Sequence, residues 1–578
     1  MPDESTTDES TTDSSTTGNG LSAFSVHAYD DAVSGVVQEL QSEPGGVGHY
    51  GLTGADPGTA VDPETAARDY LNRALASAAT PTFTTPAVDG TASRFRTIGT
   101  ETVPLTGTRM VKFRQTVNDI PVYGSLVTVE LDDANNLVGL DSAVGEPTGV
   151  DPVAAVAPAR ALAVVATAPD GYVPDLDGVV PRLNYYFDSG VQRWRLVYLL
   201  QDVPVRLDRA AEPASPGEPR LEPPHYMDFV VDAHDGTVVR LLPRTPSMAG
   251  GTEQAALDSF GVTRKFLVTA TAAGMELHDP VHNVSTFDFG FQDPDLGSDR
   301  LPGQAIGNPP DWPSAAVSAH ANAVAVSDFL RTVLRRNNID GEGGVMSSSI
   351  NCVVAGESPG QHQWANAFWN GTQMVYGQIL HPDGLRTLSA NVDVVAHEMF
   401  HGVTDRTSRL EYAFQPGALN ESYSDIFGTI VANQGNEDTA NWDWQLGERL
   451  LPDDRPFRDL SDPARFKQPA HMRDFKVLPN TRKGDWGGVH INSGIHNKAA
   501  FNLLTARGPD GAATLTPAEV AAVFYLALTQ RLSRTSQFAD SRRAALASGR
   551  TLFRSMPKQE RDRKVAAIGQ AFTDVGIT

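Results

Sequence analysis

Three residues between positions 397 and 401 have the types and the spacing of a metal-binding helix. His397, Glu398 and His401 form the pattern H-E-x-x-H, and residues four apart share a helix face, so the two imidazoles can bind one ion. Glu398 is rotated away from that face and can act on a substrate without binding the metal. Further along, Glu421 and Asp425 stand one helical turn apart. The sequence therefore predicts a metal site built from two helices.

Glu421 is the candidate third ligand of this site. Two histidines and one glutamate leave the fourth position of a tetrahedral zinc ion open to water, which is the arrangement of a catalytic rather than a structural zinc. The alternative is a chance match on a surface helix. It is disfavoured because the motif follows an apolar run at 394–396 and is joined by a second carboxylate pair at helical spacing.

Four sequence blocks resemble the thermolysin-like neutral metallopeptidases. In the family order, they read NAFWNGTQMVYG (366–377), VVAHEMFHGVTD (394–405), GALNESYSDIFG (417–428) and GGVHINSGIHNKAA (487–500). The likeness runs from about residue 255 to the C-terminus. Thermolysin itself holds its zinc with two histidines and a glutamate. The resemblance implies a zinc endopeptidase that uses a zinc-bound water, with His397, His401 and Glu421 as the ligands.

The resemblance also implies the groups that carry out the reaction. Glu398 would take a proton from the attacking water and later pass it to the leaving nitrogen. His490 and Tyr412 would donate hydrogen bonds to the tetrahedral oxyanion. Asp485, five positions before His490, would orient that histidine. Asp425 would fix the orientation of the first zinc-binding imidazole rather than bind the metal.

Substrate-binding residues are implied in the same way. Asn366 and Ala367 would hold the substrate backbone along an edge strand, and Arg458 would bind the carbonyl beyond the cut. Trp369 would line the cleft, with core packing as its alternative role. The pocket for the residue after the scissile bond would be lined by six apolar residues, Leu385, Leu388, Val394, Leu446, Leu450 and Phe457. This pocket predicts cleavage before Leu, Phe, Ile or Val.

Calcium is the point at which the sequence departs from thermolysin. Asp393, Asp443 and Glu448 match acidic calcium ligands of the family, but Ala432 and Gln445 stand where two further acids would be. Calcium takes six to eight oxygen ligands. We therefore expect no double calcium site and at most a single weakened one, with a solvated acidic face as the alternative.

Composition limits the function classes. The chain has 578 residues, a net charge of −24 and one cysteine, Cys352. Its acidity excludes nucleic acid as a partner because phosphates would repel it. No apolar run has the length of a membrane span, and Cys352 is expected to be a buried thiol. The N-terminus has no signal-peptide pattern; the family resemblance implies a secreted protein, and a cytoplasmic one is the alternative.

The predicted fold class is α+β, with a β-rich propeptide before a two-lobed catalytic domain. Five regions are expected: a disordered acidic tail (1–20), a first propeptide module (21–150), a PepSY-like module (151–250), a β-rich catalytic lobe including the zinc helix (251–400) and a helical lobe (401–578). A cleavable junction is expected at 241–254, which is rich in Pro, Gly and small residues. The alternative is that residues 20–245 are an independent binding domain.

Three functions fit these observations. The favoured one is a monomeric zinc endopeptidase made as a zymogen, whose partners are protein or peptide substrates and its own propeptide as inhibitor and chaperone. The second is a catalytically silent binding protein on the same fold, against which the intact motif residues argue. The third is an intracellular or self-processing peptidase with a narrow substrate range.

Overall fold

The computed structural model describes residues 24–31, 35–42, 62–76, 87–88, 91–167, 172–188, 191–207, 226–244, 253–271, 274–294, 301–307, 312–354, 362–382 and 384–578. Within these ranges the chain forms two compact units. Unit 1 lies within Met1–Ala157, Arg182–Tyr198 and Asp232–Asp235, and unit 2 within Pro158–Pro181, Leu199–Val231 and Gly236–Thr578. No helix in the described ranges has both the length and the apolarity needed to cross a bilayer.

The first half begins with an antiparallel sheet in the order β1-β2-β9-β8-β6-β5, with β7 beside β6. Its elements are β1 (Phe24–Asp31), β2 (Gly35–Ser42), α1 (Pro63–Ala76), β3 (Ala87–Val88), β4 (Thr91–Ala92), β5 (Arg94–Val103), β6 (Thr108–Val117), β7 (Ile120–Pro121), β8 (Leu126–Leu131) and β9 (Leu137–Ala143). Strands β3 and β4 pair separately. Helix α1 packs its apolar face, including Tyr70 and Leu71, on Val111, Phe113 and Val127 of the sheet.

A second sheet follows in the order β10-β12-β13-β14, with β11 beside β12. Its elements are α2 (Pro158–Val165), β10 (Tyr172–Pro174), β11 (Arg182–Asp188), β12 (Arg193–Leu207), β13 (Tyr226–Asp232) and β14 (Val238–Arg244). The described residues 199–207, 226–231 and 236–244 of this part belong to unit 2, together with the catalytic half.

The β-rich part of the catalytic half centres on a mixed sheet in the order β19-β20-β22-β24-β23, with β21 beside β20 and β25 beside β24. Its elements are β15 (Glu253–Leu257), β16 (Thr263–Leu267), β17 (Thr269–Thr271), β18 (Gly274–Glu276), β19 (His278–Asp279), β20 (Val284–Gln292), β21 (Gln304–Ala305), α3 (Ser314–Thr332), β22 (Met346–Cys352), β23 (Trp364–Trp369), β24 (Met374–His381) and β25 (Gly384–Thr387). Two small hairpins, β15-β16 and β17-β18, precede it. Strand β23 ends the path of the main sheet.

The remainder of the chain is mainly helical. Its elements are α4 (Val392–Arg406), α5 (Phe414–Ala432), β26 (Gln445–Leu446), β27 (Arg458–Asp459), α6 (Asp485–Leu504), α7 (Pro517–Leu526), α8 (Phe538–Leu552) and α9 (Lys558–Thr573), with a π-helical turn at Ala527–Arg531. Helices α4 and α5 pack through Phe400 and Phe427, whose rings stack at 4.0 Å. The α+β class predicted from the sequence is therefore confirmed, whereas the five predicted domain boundaries stay predictions.

Turns and helix ends in the chain follow from residue type and backbone conformation. The tight turn after β6 has Asn118 and Asp119 at φ 51° and 61°, a conformation that Asn and Asp tolerate. Helix α2 begins at Pro158, which lacks an N–H and fits only the first turn. Helix α3 ends at Thr332, before Arg335 adopts a positive φ of 54°.

Some predictions fall on residues that the structure does not describe. The acidic tail at 1–20 lies outside the described residues, as does most of the expected cleavage junction, since 245–252 are not described. Cys352, by contrast, is fully buried as predicted.

Candidate active site

Helix α4 carries the H-E-x-x-H sequence, and helix α5 carries the N-E-S-Y-S-D sequence. Helix α4 buries an apolar face through Val395, Met399, Phe400 and Val403, which fixes its orientation against the core. The motif histidines therefore lie on one side of α4 at helical spacing. Helix α5 is buried along nearly its whole length, and its Glu421 carboxylate faces α4 at the motif.

The three predicted ligands meet at short distances. His397 Nε2 and His401 Nε2 are 3.1 Å apart. Glu421 Oε2 lies 3.6 Å from His397 Nε2, and Glu421 Oε1 lies 3.4 Å from His401 Nε2. A tetrahedral zinc with bonds of about 2.0–2.1 Å separates its ligand atoms by roughly 3.3–3.4 Å. The donor set and its spacing therefore fit zinc.

The far side of each imidazole has a polar partner. His397 Nδ1 lies 2.8 Å from Asp425 Oδ1, and His401 Nδ1 lies 2.8 Å from Asn420 Oδ1. A partner on Nδ1 leaves Nε2 directed at the metal position and orients the ring. Asn497 in turn donates to Asp425 Oδ2 at 2.8 Å. The sequence indicated Asp425, but Asn420 and Asn497 were missed.

Glu398 stands beside the ligands rather than opposite them. One carboxylate oxygen of Glu398, one ring nitrogen of His397 and one ring nitrogen of His401 all lie within 4.8 Å of one another. Burial raises the pKa of Glu398, although the neighbouring histidine charges act in the opposite direction. A carboxylate with a raised pKa is a better proton acceptor at neutral pH, which suits a general base.

The two predicted oxyanion donors lie next to the third ligand. The Tyr412 hydroxyl donates to Glu421 Oε1 and lies 3.1 Å from His490 Nε2. His490 Nδ1 is 2.5 Å from Asp485 Oδ1, and the His490 N–H donates to Asp485 Oδ2 at 2.9 Å. Asp485 thus fixes the imidazole from two directions.

Helix α6 begins with a kink that brings His490 to this position. Asp485, Trp486, Gly487 and Gly488 all have positive φ, and glycine adopts such a conformation without steric cost. At Gly487, a Cβ would come within 2.4 Å of the Phe414 ring. The glycine pair of the GGVHINSG block is therefore required by the backbone and by close packing.

Glu421 is surrounded by positive charge. Burial alone would raise its pKa, but His490, His401 and His397 lower it well below the usual range. Arg458 Nη1 lies 3.3 Å from Glu421 Oε2, and Arg458 Nη2 lies 3.0 Å from Asp425 Oδ1. Burial likewise opposes ionisation of Asp425, and the Arg458 charge lowers the pKa of that carboxyl below its ordinary value.

Strand β23 carries the predicted substrate-backbone residues. Asn366 is half-buried, and its Oδ1 accepts from Ala367 N at 3.0 Å. Ala367 is buried and pairs with Tyr376 of β24. Trp369 is also buried, and its ring lies so close to Gly402 of α4 that a Cβ there would come within 2.8 Å. Trp369 therefore packs on helix α4, and its role in lining the cleft stays a prediction.

The six predicted pocket residues differ in exposure. Four are almost fully buried: Leu388, Val394, Leu446 and Leu450. Phe457 is half-buried and lies against Gly447, where a Cβ would come within 2.4 Å of its ring. Leu385, on β25, is 40% exposed.

The residues predicted for calcium form an acidic cluster at the N-terminal end of α4. Asp393 is buried, and its oxygens accept from Val394 N at 2.6 Å and from Gly447 N at 2.9 Å. Burial, followed by the charges of Asp393 and Asp443, raises the pKa of Glu448. Burial also raises the pKa of Asp393. The calcium assignment stays a prediction.

The chain matches known family models over most of its described length. Residues 253–405 match the thermolysin metallopeptidase catalytic domain, residues 408–577 its α-helical domain, and residues 93–144 the fungalysin/thermolysin propeptide motif. The PepSY-like assignment of residues 151–250 stays a prediction.

Individual proteins are also similar to this chain. A bacillolysin of Bacillus subtilis subsp. amylosacchariticus is 31% identical over 473 residues, covering 78% of this chain and 80% of that protein. The neutral protease NprE of Bacillus pumilus is 40% identical over 243 residues, covering 42% and 72%. The precursor of protealysin, a metalloproteinase from Serratia proteamaculans, aligns with 28% identity, covering 51% of this chain and 87% of that chain, at a TM-score of 0.41.

The family models match both the propeptide motif and the catalytic half, the bacillolysin relative covers 78% of this chain, and His397, Glu398 and His401 fit a zinc site. The chain belongs to the thermolysin family of zinc metalloendopeptidases and is made with its own propeptide.

Proposed function

We propose that this protein is a zinc endopeptidase zymogen in which His397, His401 and Glu421 bind the metal and Glu398 is the general base. The observation that carries the proposal is the meeting of the three ligand side chains within 3.1–3.6 Å, with the half-buried Glu398 beside them. Bound zinc lowers the pKa of a coordinated water and polarises the substrate carbonyl.

The chain's own residues then divide the remaining work. Glu398 accepts the proton of the attacking water and delivers it to the leaving nitrogen. His490 and Tyr412 donate to the oxyanion that develops on the carbonyl oxygen. This role is supported by the 3.1 Å separation of Tyr412 Oη and His490 Nε2, because two donors so close together can converge on one oxygen. Asp485 accepts from Nδ1 of His490. Burial opposes protonation of this histidine, but Glu421 and Asp485 raise its pKa, so that the imidazolium can donate from Nε2 to the cleft.

Arg458 and strand β23 would position the substrate. Strand β23 ends the path of its sheet, so an extended peptide could add to it through main-chain hydrogen bonds. Arg458 would bind the carbonyl beyond the cut. Its guanidinium, held by Glu421 and Asp425, is already oriented beside the metal ligands.

Side-chain preference follows from the six apolar pocket residues. Burying a large aliphatic or aromatic side chain there contributes about 1.5–3 kcal/mol, which favours cleavage before Leu, Phe, Ile or Val. Sequencing the products of a denatured protein substrate tests the preference. Cuts mainly after Lys or Arg would rule it out.

The proposal includes processing of the chain at 241–254 and activity as a secreted monomer. Processing is tested by following the intact mass of the purified, zinc-loaded protein over time beside Glu398→Gln. The wild type should split near 241–254 while the variant stays whole. If neither protein splits and denatured casein is also left intact, the proposed activity is wrong. Size-exclusion chromatography and assay of culture medium against cell extract test the monomeric state and secretion.

A further inference from the structure

The last strands of the propeptide half pack on the catalytic half within one compact unit. Residues 199–231 and 236–244 cluster with the catalytic residues in unit 2. We call the described part of these strands, residues 199–207, 226–231 and 238–244, the pro-strands. Their side chains contact the catalytic half at three places, and all three surround one loop.

The first contact is a buried ion pair. Arg534 Nη1 lies 2.7 Å from Asp228 Oδ2, with the Asp228 side chain 1% exposed and that of Arg534 14% exposed. The other carboxylate oxygen of Asp228 accepts from the Asp202 N–H at 2.8 Å. Removing one partner from a buried pair leaves an uncompensated charge, which is strongly destabilising. The contact therefore depends on both residues.

The other contacts lie at the two ends of residues 409–414, which we call the Tyr412 loop. Arg409 Nη2 is 3.5 Å from Asp202 Oδ1, and the Arg240 guanidinium lies over the Phe414 ring at 5.0 Å. Arg409 and Phe414 have positive φ values of 57° and 52°, which is unfavourable for residues with bulky side chains. The pro-strands thus contact both residues at which the loop backbone is strained.

The buried ion pair is connected to the same loop through the backbone. The carbonyl oxygen of Arg534 accepts from the Glu411 N–H at 2.8 Å. Glu411 precedes Tyr412, whose hydroxyl lies at the metal site beside Glu421 and His490. A group that holds Arg534 in place therefore also holds the backbone next to Tyr412.

We propose that Arg409, Phe414 and Arg534 form a docking site for the pro-strands, and that the Asp228–Arg534 ion pair keeps the cleaved propeptide bound there. The partner is the chain's own propeptide half, recognised through the buried Asp228 carboxylate and the Arg240 guanidinium. Its binding supports the strained Tyr412 loop. This inference rests on the proposed function in taking residues 21–250 to be a propeptide, but retention can be tested without self-cleavage.

The test uses the full chain in the Glu398→Gln background, with a recognition sequence for an unrelated protease inserted between 245 and 252. After cleavage by that protease, the dissociation constant of the two fragments is measured by dilution and size-exclusion chromatography. Asp228→Asn should weaken retention about a hundredfold. The charge-swapped double variant, Asp228→Arg with Arg534→Asp, should recover at least a tenth of the lost affinity.

A matched control separates docking from general instability of the propeptide. Asp188→Asn removes a comparable ion pair with Arg195, at 2.8 Å, inside unit 1, and should leave retention unchanged. The proposal would be overturned if Asp228→Asn retained the propeptide as well as the wild type does, or if Asp188→Asn lost as much affinity as Asp228→Asn. It would also be overturned if the charge-swapped variant recovered none of the lost affinity. An external protease makes the cut, so this test does not depend on the proposed peptidase activity. If the proposed function is wrong, the wild-type chain would instead stay uncut in the intact-mass experiment.

A second readout follows the Tyr412 loop itself. Amide hydrogen exchange of residues 409–414 is compared before and after the cut propeptide is separated. Release should increase exchange of the Glu411 N–H at least tenfold. Unchanged exchange after complete release would overturn the supporting role of the pro-strands.

Discussion

Two groups of carboxylates lie beside helix α4, one at the histidine motif and one at the N-terminal end, and they are compensated in opposite ways. Near the zinc ligands, Glu421 and Asp425 face histidines and Arg458, which lower the pKa of both carboxyls against the effect of burial. At the N-terminal end, Asp393 and Glu448 face each other and Asp443, and burial with like charge raises their pKa. Burial alone therefore does not decide the charge of a carboxyl group.

The difference has a functional consequence. The first group is kept ionised by cationic side chains of the chain itself, and Arg458 stays charged beside Glu421 and Asp425 when the two histidines bind a metal as neutral imidazoles. In the second group burial and like charge outweigh the weaker effect of His397 on Asp393, so it is the group that an external cation such as calcium would stabilise.

Glu398→Gln should abolish peptide hydrolysis, with a loss of at least about a thousandfold in kcat. The amide cannot accept the proton of the attacking water, although it has nearly the same shape. Initial rates on a denatured protein substrate measure the effect, and the far-UV spectrum checks that the variant is folded. Activity within tenfold of wild type would show that another residue is the base.

His490→Ala should lower kcat about a hundredfold to a thousandfold with a smaller change in KM. The variant loses a donor that acts on charge developing in the transition state. Zinc content should stay at the wild-type level because His490 is not a predicted ligand. A rise in KM with unchanged kcat would instead assign His490 to substrate binding.

Asp425→Asn should weaken zinc binding about tenfold to a hundredfold. The substitution removes the charge that lies 2.8 Å from His397 Nδ1 and also faces Arg458. Competition with a chelator of known affinity measures the change. Asp474→Asn, an exposed aspartate elsewhere in the helical part, is the matched control and should bind zinc as the wild type does.

The acidic cluster should make stability depend on pH when calcium is absent. The pKa of Glu448 is raised to about 8 in the folded protein, so the folded state keeps a proton that the unfolded state has released. The free energy of unfolding should therefore fall as pH rises from 6.5 to 8. Buried His320 and His496, whose pKa values are lowered to about 4 and about 3 by burial, reduce stability only below about pH 6.5.

Urea unfolding of the zinc-loaded protein, in calcium-free buffer without EGTA or with added calcium, measures this dependence. In the metal-free protein, burial opposes protonation of His401 but Glu421 raises its pKa to about 9, and bound zinc prevents this histidine from adding a slope of its own. Calcium should raise the unfolding free energy at pH 8 and flatten the slope, whereas Glu448→Gln should flatten the slope without calcium. Glu437→Gln, at an exposed position, should behave as wild type. A calcium-independent slope that persists in Glu448→Gln would contradict the contrast.

The sequence predicted most accurately those features that depend on local spacing. A spacing of four residues, about one helical turn, was enough to pair His397 with His401 and Glu421 with Asp425. His490 and Tyr412 lie on other segments, so no local pattern selects them, and only the family resemblance did. The fully buried His320 shows the same limit, since its ring contacts Thr286 Oγ1 and Leu267 O, which are 34 and 53 positions away.

Contacts between distant segments could not be predicted in this way. Asn497 reaches Asp425 across 72 positions and Arg534 reaches Asp228 across 306, and neither separation corresponds to a helical or strand period. These pairings arise only when the tertiary fold brings buried polar groups together, each of which needs a partner. The density of polar residues in the stretches NES (420–422) and HINSGIHN (490–497) was the only sequence signal of these contacts. That density does not identify which residues pair.

The central claim is that His397, His401 and Glu421 bind zinc whereas Glu398 only moves protons. It is tested most directly by measuring zinc per chain and peptidase activity together in wild type, Glu398→Gln and Glu421→Gln. The account predicts one zinc in the wild type and in Glu398→Gln, activity only in the wild type, and loss of both zinc and activity in Glu421→Gln. Full zinc content in Glu421→Gln, or its loss in Glu398→Gln, would contradict it.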